Sequence, residues 1–177
     1  MIISVAKAKT LIDFNDWTDE KIEMKLKAVE QTIRAYTNNN FQDRGRRVQA
    51  RITGGVIVSD ALLPFDVGDT VQISESRYNS GLFTVVSVPD GLSFTVAEKT
   101  ADEDGVLVTK IVYPADVIDC CINLLEWEKT NRAKVGIQSE TLSRHSVTYF
   151  NQDAGNQVMG YPGALLGCLK AYRKARC

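Results

Sequence analysis

Histidine is almost missing from this 177-residue chain, with His145 the only one, and that removes the side chain most often used as a general base or metal ligand. Ser143 and Ser146 lie beside it, but sequence neighbours do not make a catalytic triad, whose members are assembled in space. Cysteine is sparse and irregularly placed, at 120, 121, 168 and 177, which excludes a disulfide scaffold. No C-x-x-C occurs, and adjacent Cys120 and Cys121 point about 100° apart on a helix, so no zinc site is expected. One of that pair is expected in the core and the other cysteines as reduced thiols. Gly54-Gly55 lacks the Lys-Ser/Thr and the helix that a phosphate-cradling loop requires. Asp102-Glu103-Asp104, followed by Gly105, reads as a solvated hairpin turn rather than a cation site. No catalytic residue, metal or cofactor is expected, and the chain is not expected to be an enzyme. Long apolar runs are also missing, and the N-terminal residues lack the pattern of a secretory signal, so no membrane association and a cytosolic origin are expected. The formal charge is −1 and the pI about 5.9, which leaves no strong overall attraction for nucleic acid or anionic lipid. No repeat or low-complexity tract is visible.

What is present is a change of period. With 44% hydrophobic residues the chain can bury a sizeable core. Thr18 is a good helix N-cap, Asp19 and Glu20 complement the dipole, and Ile22, Leu26, Val29, Ile33 and Tyr36 form one helical stripe. The run Thr37-Asn38-Asn39-Asn40 stops that helix, because asparagine tolerates the left-handed backbone. A short helix over residues 4–11 precedes it. From Arg46 the period becomes two. Val48, Ala50 and Ile52 lead to Gly54-Gly55 and a hairpin partner, Val56-Ile57-Val58. Strands then follow over 69–74, 82–88, 92–96 and 106–112, joined by Gly, Asn and Asp turns. Tyr113-Pro114 returns the chain to helix, with Pro at or near the first helical position. Val117, Cys121 and Leu124 form one row there, and Ile118, Ile122 and Leu125 a second. A polar stretch over 136–160 is long enough for a functional connection. A last helix then begins at Tyr161-Pro162-Gly163, with Leu165, Leu169 and Tyr172 on one side and Lys170, Arg173, Lys174 and Arg176 towards its end. The expected fold is α+β: a small bundle of three to four helices (1–43 and 112–177) with an inserted antiparallel β-barrel or sandwich (44–111).

The densest positive cluster is Arg44, Arg46 and Arg47, with Arg51 beyond. At a domain junction such a run reads first as solvated or paired with nearby acids, and second as a contact for phosphates or a protein interface.

Three pieces of the sequence resemble the head-tail connector (adaptor) family of long-tailed bacteriophages. They are the helix ending in Ile33-Arg34-Ala35-Tyr36-Thr37-Asn38-Asn39-Asn40-Phe41, the helix opening Tyr113-Pro114-Ala115-Asp116-Val117, and the tail from Val135 to Pro162. In the tail, Ser139-Glu140 through Ser146-Val147-Thr148-Tyr149 is similar to a family segment, and the closing Tyr172-Arg173-Lys174 to the family's last helix. The inserted strands depart from compact members. Val67-Gly68-Asp69-Thr70-Val71 and Ser76-Arg77-Tyr78-Asn79-Ser80-Gly81 resemble longer relatives from phages of Gram-positive hosts. The resemblance implies a structural virion protein, assembled in the host cytoplasm, that forms a ring of typically twelve subunits at the head-tail interface. Its partners would be the portal protein, the stopper or head-completion protein, further copies of itself, and viral DNA passing through the channel without sequence-specific binding. Leu165, Leu169, Tyr172, Arg173, Lys174 and Arg176 are then expected at the portal interface, and Arg144, His145 and Tyr149 near the channel or an adjacent subunit. The alternatives are a small-barrel nucleic-acid-binding module and a stopper or tail-completion protein.

Overall fold

The computed structural model describes residues 1–132, 139–142, 145–148 and 157–175. It is an α+β protein whose chain divides into two compact units. One comprises Met1 and Asn40–Tyr113, the other Ile2–Asn39 and Pro114–Cys177.

The first unit is a closed six-stranded antiparallel barrel: β1 (Gln42–Thr53), β2 (Val56–Ser59), β3 (Thr70–Ser74), β4 (Gly81–Ser87), β5 (Ser93–Val96) and β6 (Glu103–Ile111), in the order β1-β2-β5-β4-β3-β6. Of the two forms expected, barrel and sandwich, it is the barrel, and closure leaves no free sheet edge. Alternation decides which residues point inward. Val48, Ala50 and Ile52 of β1, Val71 and Ile73 of β3, Phe83 and Val85 of β4, and Val106 and Val108 of β6 are all buried together. Phe65, from the β2–β3 connection, joins them and meets Phe94 edge-on at 5.5 Å. The β1–β2 turn is made by Gly54 and Gly55, both with positive φ (58° and 80°), as the two-residue hairpin pairing Thr53 with Val56 requires.

Two expectations need correction here. β1 begins at Gln42, before the arginine cluster, and β6 begins at Glu103, before Asp104-Gly105. Both early starts are followed by irregularities in the β1–β6 ladder, one between Asp43 and Arg47 and one between Ala50 and Ile52. A bulge lets a strand continue through residues that read as a turn. Lys110 continues the inward row of Val106 and Val108, opposite buried Val71. Its ammonium is held by Asp69 at 2.5 Å and approached by Asp66 at 3.9 Å, so this buried charge is met by carboxylates.

In the second unit, α1 (Val5–Leu11) is capped by Ser4 and α2 (Asp19–Thr37) by Thr18, whose hydroxyl accepts from the Lys21 amide at 3.3 Å. Ile22, Leu26, Val29 and Ile33 are fully buried, as their spacing requires. The stripe then leaves Tyr36, which is only half-buried, and ends on Thr37, four residues after Ile33. Asn38 closes the helix in the left-handed region (φ 47°, ψ 37°). α3 (Ala115–Thr130) has Pro114 at its N-cap, next to the first helical position, within the expected range. Its buried face is Val117, Cys120, Cys121, Leu124, Leu125 and Glu128, while Ile118 and Ile122 are half-exposed. Both adjacent cysteines are therefore core residues, because the face is wide enough to cover a 100° step. Two short antiparallel pairs follow, β7 (Ser139–Leu142) with β8 (His145–Thr148) and β9 (Gln157–Val158) with β10 (Tyr161–Pro162). The chain then forms a 3-10 helix, Gly163–Tyr172. Among the described residues, no helix is long and apolar enough to cross a membrane.

Candidate functional site

The spacing of Leu165, Leu169 and Tyr172 predicts an α-helix with these three aligned. A 3-10 helix has three residues per turn, and its aligned row is Leu166, Leu169 and Tyr172. Leu166 and Leu169 are fully buried, whereas Leu165 is half-buried and contributes its carbonyl instead. The helix row ends at Tyr172, whose hydroxyl lies 2.7 Å from both carboxylate oxygens of Asp116 at the start of α3. That hydrogen bond holds the Tyr172 hydroxyl's pKa above its ordinary value.

Beyond Tyr172 the chain runs back along the end of α2. The Lys174 amide donates to the Thr37 carbonyl at 2.8 Å, Asn38 donates to the Ala175 carbonyl at 2.9 Å, and Asn39 to the Tyr172 carbonyl at 3.2 Å. The asparagine run therefore both stops α2 and pins the C-terminal segment. Arg173 stacks its guanidinium over the Tyr36 ring, 5.3 Å from its centroid. Of the residues expected at a partner interface, Leu169 and Tyr172 are thus used inside the unit. Arg173 and Lys174 are exposed, and Arg176 lies outside the described residues. Arg144 and Tyr149 lie outside them too. His145 opens β8, with its backbone paired to Leu142.

A second feature of this unit is only half visible in the sequence, where Glu128 and Arg132 stand four residues apart but nothing points to Lys25. Glu128, its side chain only 2% exposed, bridges Lys25 of α2 and Arg132, each at 2.7 Å. Burial pushes this carboxyl's pKa up. The Lys25 and Tyr161 hydrogen bonds and the Arg132 charge outweigh that, and the net shift is downward. Arg132 also lies over the rings of Trp127 and Tyr161, at 5.3 and 5.5 Å, and the two rings meet edge-on. The cluster ties α2, α3 and β10 together.

On the barrel, the bulge carries Arg44, Gly45 and Arg46 out of the ladder, and Arg47 and Arg51 follow on the outward face. All four arginines are exposed. Arg46 is 3.5 Å from Asp43 and Arg51 is 3.7 Å from Asp60, both loose pairs at the surface. At the other end of the barrel's turns, Glu103 organises the β3–β4 loop. It accepts from the Ser76 hydroxyl and the Arg77 amide at 2.5 Å each, and from the Asn79 side chain at 2.8 Å. The Ser76 and Arg77 hydrogen bonds hold its pKa down at about 2. The acidic run is therefore not a free turn, since its middle residue is a structural acceptor.

Neither protein-family models nor curated proteins give a match to this chain.

Proposed function

We propose that the chain is a structural virion subunit, a head-tail connector that forms a ring between the portal and the stopper of a long-tailed phage and leaves a channel for DNA. The role is architectural and not catalytic. The observation that supports it best is how the barrel is inserted. Gln42 pairs with Ile111, the Val112 amide donates to the Phe41 carbonyl at 2.9 Å, and the Phe41 and Tyr113 rings meet at 5.0 Å. Entry and exit of the barrel are thus side by side, as for a module added within a helical protein. That is the organisation the sequence resemblance implies for the longer connectors. The exposed cations of the pinned C-terminal segment, Arg173 and Lys174, offer the helical unit a basic surface for an acidic partner face.

A pull-down with the candidate portal protein tests the assignment. Replacing Arg173, Lys174 and Arg176 together by alanine is expected to weaken capture at least tenfold, with no more loss of thermal stability than the exposed Arg173–Tyr36 contact accounts for. Unchanged capture would remove these residues from the interface.

The arginine bulge favours a second reading, a nucleic-acid-binding module, because strand geometry presents its side chains rather than folding them onto the barrel. Against it, Phe83 and Phe94, the aromatics of the barrel strands, are buried and not displayed for base stacking.

A further inference from the structure

Two thiols far apart in sequence converge on one acceptor in the helical unit. The Sγ of Cys120, on α3, lies 3.3 Å from the Leu165 carbonyl oxygen, and the Sγ of Cys168, on the 3-10 helix, lies 3.7 Å from the same oxygen. The shared oxygen keeps the two sulfurs within about 7 Å of each other. Their exposures differ sharply. Cys168 is open to solvent, while Cys120 is 1% exposed. Cys121, next in sequence, is fully buried on the same helix.

We propose that Cys120 and Cys168 form a covalent modification site, a dithiol that reacts with small disulfide oxidants to give an intramolecular disulfide. Access fixes the order of the steps. The Cys168 thiolate attacks one sulfur of the oxidant, forming a mixed disulfide and expelling the other half as a thiolate. Cys120 then loses its proton and attacks the Cys168 sulfur, expelling the second half. The balance is two protein thiols and one small disulfide giving one protein disulfide and two small thiols. Burial pushes the Cys120 thiol's pKa up, so the second step is the slower one and accelerates as the pH rises. The product fastens the 3-10 helix, now tied to α3 by the Tyr172–Asp116 and Cys120–Leu165 hydrogen bonds, by a bond closing a loop of about 50 residues. The inference stands independently of the connector reading.

The test uses the full chain with Cys177→Ser, so that the fourth thiol cannot compete. The native protein is incubated with oxidised glutathione, sampled over time, alkylated and mapped by mass spectrometry. The expected course is a glutathione adduct on Cys168 that decays into a Cys120–Cys168 cross-link, with a rise in Tm of roughly 5–10 °C. Cys120→Ser is expected to stop at the adduct, Cys168→Ser to take up no oxidant under native conditions, and Cys121→Ala to cross-link as the parent does. Cys168 is exposed, so its serine variant keeps the fold and remains informative if Cys120→Ser does not fold. A persistent Cys168 adduct with Cys120 still alkylatable after unfolding would overturn the proposal. So would a cross-link to Cys121, or a cross-linked protein that melts below the reduced one.

Discussion

Glu128 and Glu103 are both carboxylates that fix neighbouring structure, by different means. Glu128 is buried and satisfied by two cations, so removing it leaves Lys25 and Arg132 without their anion. Both cations keep partial exposure, 28% and 43%, and regain some water, which places the cost of Glu128→Ala at about 2–3 kcal/mol, below that of a fully buried pair. Urea unfolding with an unchanged m-value would check it. Glu103 acts at the surface, as the acceptor that gathers the loop donors of Ser76, Arg77 and Asn79. Its folded pKa, about 2, lies below the ordinary 4.5. The group therefore stabilises the fold fully above the ordinary value and loses that contribution as the pH falls through the folded one. Thermal melts of the wild type and of Glu103→Ala are expected to differ at neutral pH and to converge as the pH approaches about 2. A gap independent of pH would show that the network does not depend on the charge. Of these contacts only the Glu128–Arg132 spacing of four is local enough to be legible in the sequence. Lys25 is 103 positions from Glu128 and Ser76 is 27 from Glu103, and no local pattern links such pairs.

At the scale of elements, strong periodicity was legible and weak periodicity was not. The stripe from Ile22 to Ile33 with its Thr18 cap, and the alternation of Val48, Ala50 and Ile52 before Gly54-Gly55, each have one physical solution. The terminal helix is ten residues long, too short for its leucines to separate a period of 3.0 from 3.6, and the α-helical alignment puts Leu165 in the place that Leu166 holds. The paired mutants discriminate. Leu166→Ala is expected to cost about 2–4 kcal/mol and Leu165→Ala under about 1 kcal/mol, as read by chemical denaturation; the reverse order would restore the α-helical alignment. The bulge in β1 was hidden for another reason, since Arg44-Gly45-Arg46 reads as a junction when it is a strand that bends. If those arginines meet phosphates, Arg44→Ala with Arg47→Ala should lower the salt slope of DNA affinity by about 2. Wild-type protein that does not bind DNA at low salt would end the nucleic-acid reading.

At the scale of the whole molecule, the α+β class and the antiparallel barrel followed from the change of period. Closure did not, because it depends on β6 returning to β1, the pairing of greatest sequence separation in the barrel. The side-by-side ends of the insert imply that residues 40–113 fold when excised, giving a cooperative thermal transition by circular dichroism. A fragment without such a transition would mean that the barrel relies on the rest of the chain. The central claim, a ring subunit that docks on a portal, concerns assembly. The most direct test is the molar mass of the purified protein by light scattering, alone and mixed with the candidate portal, with negative-stain images of any large species. The connector reading requires rings, or a monomer that joins the portal in stoichiometric amount. A monomer that leaves the portal's mass unchanged would contradict it.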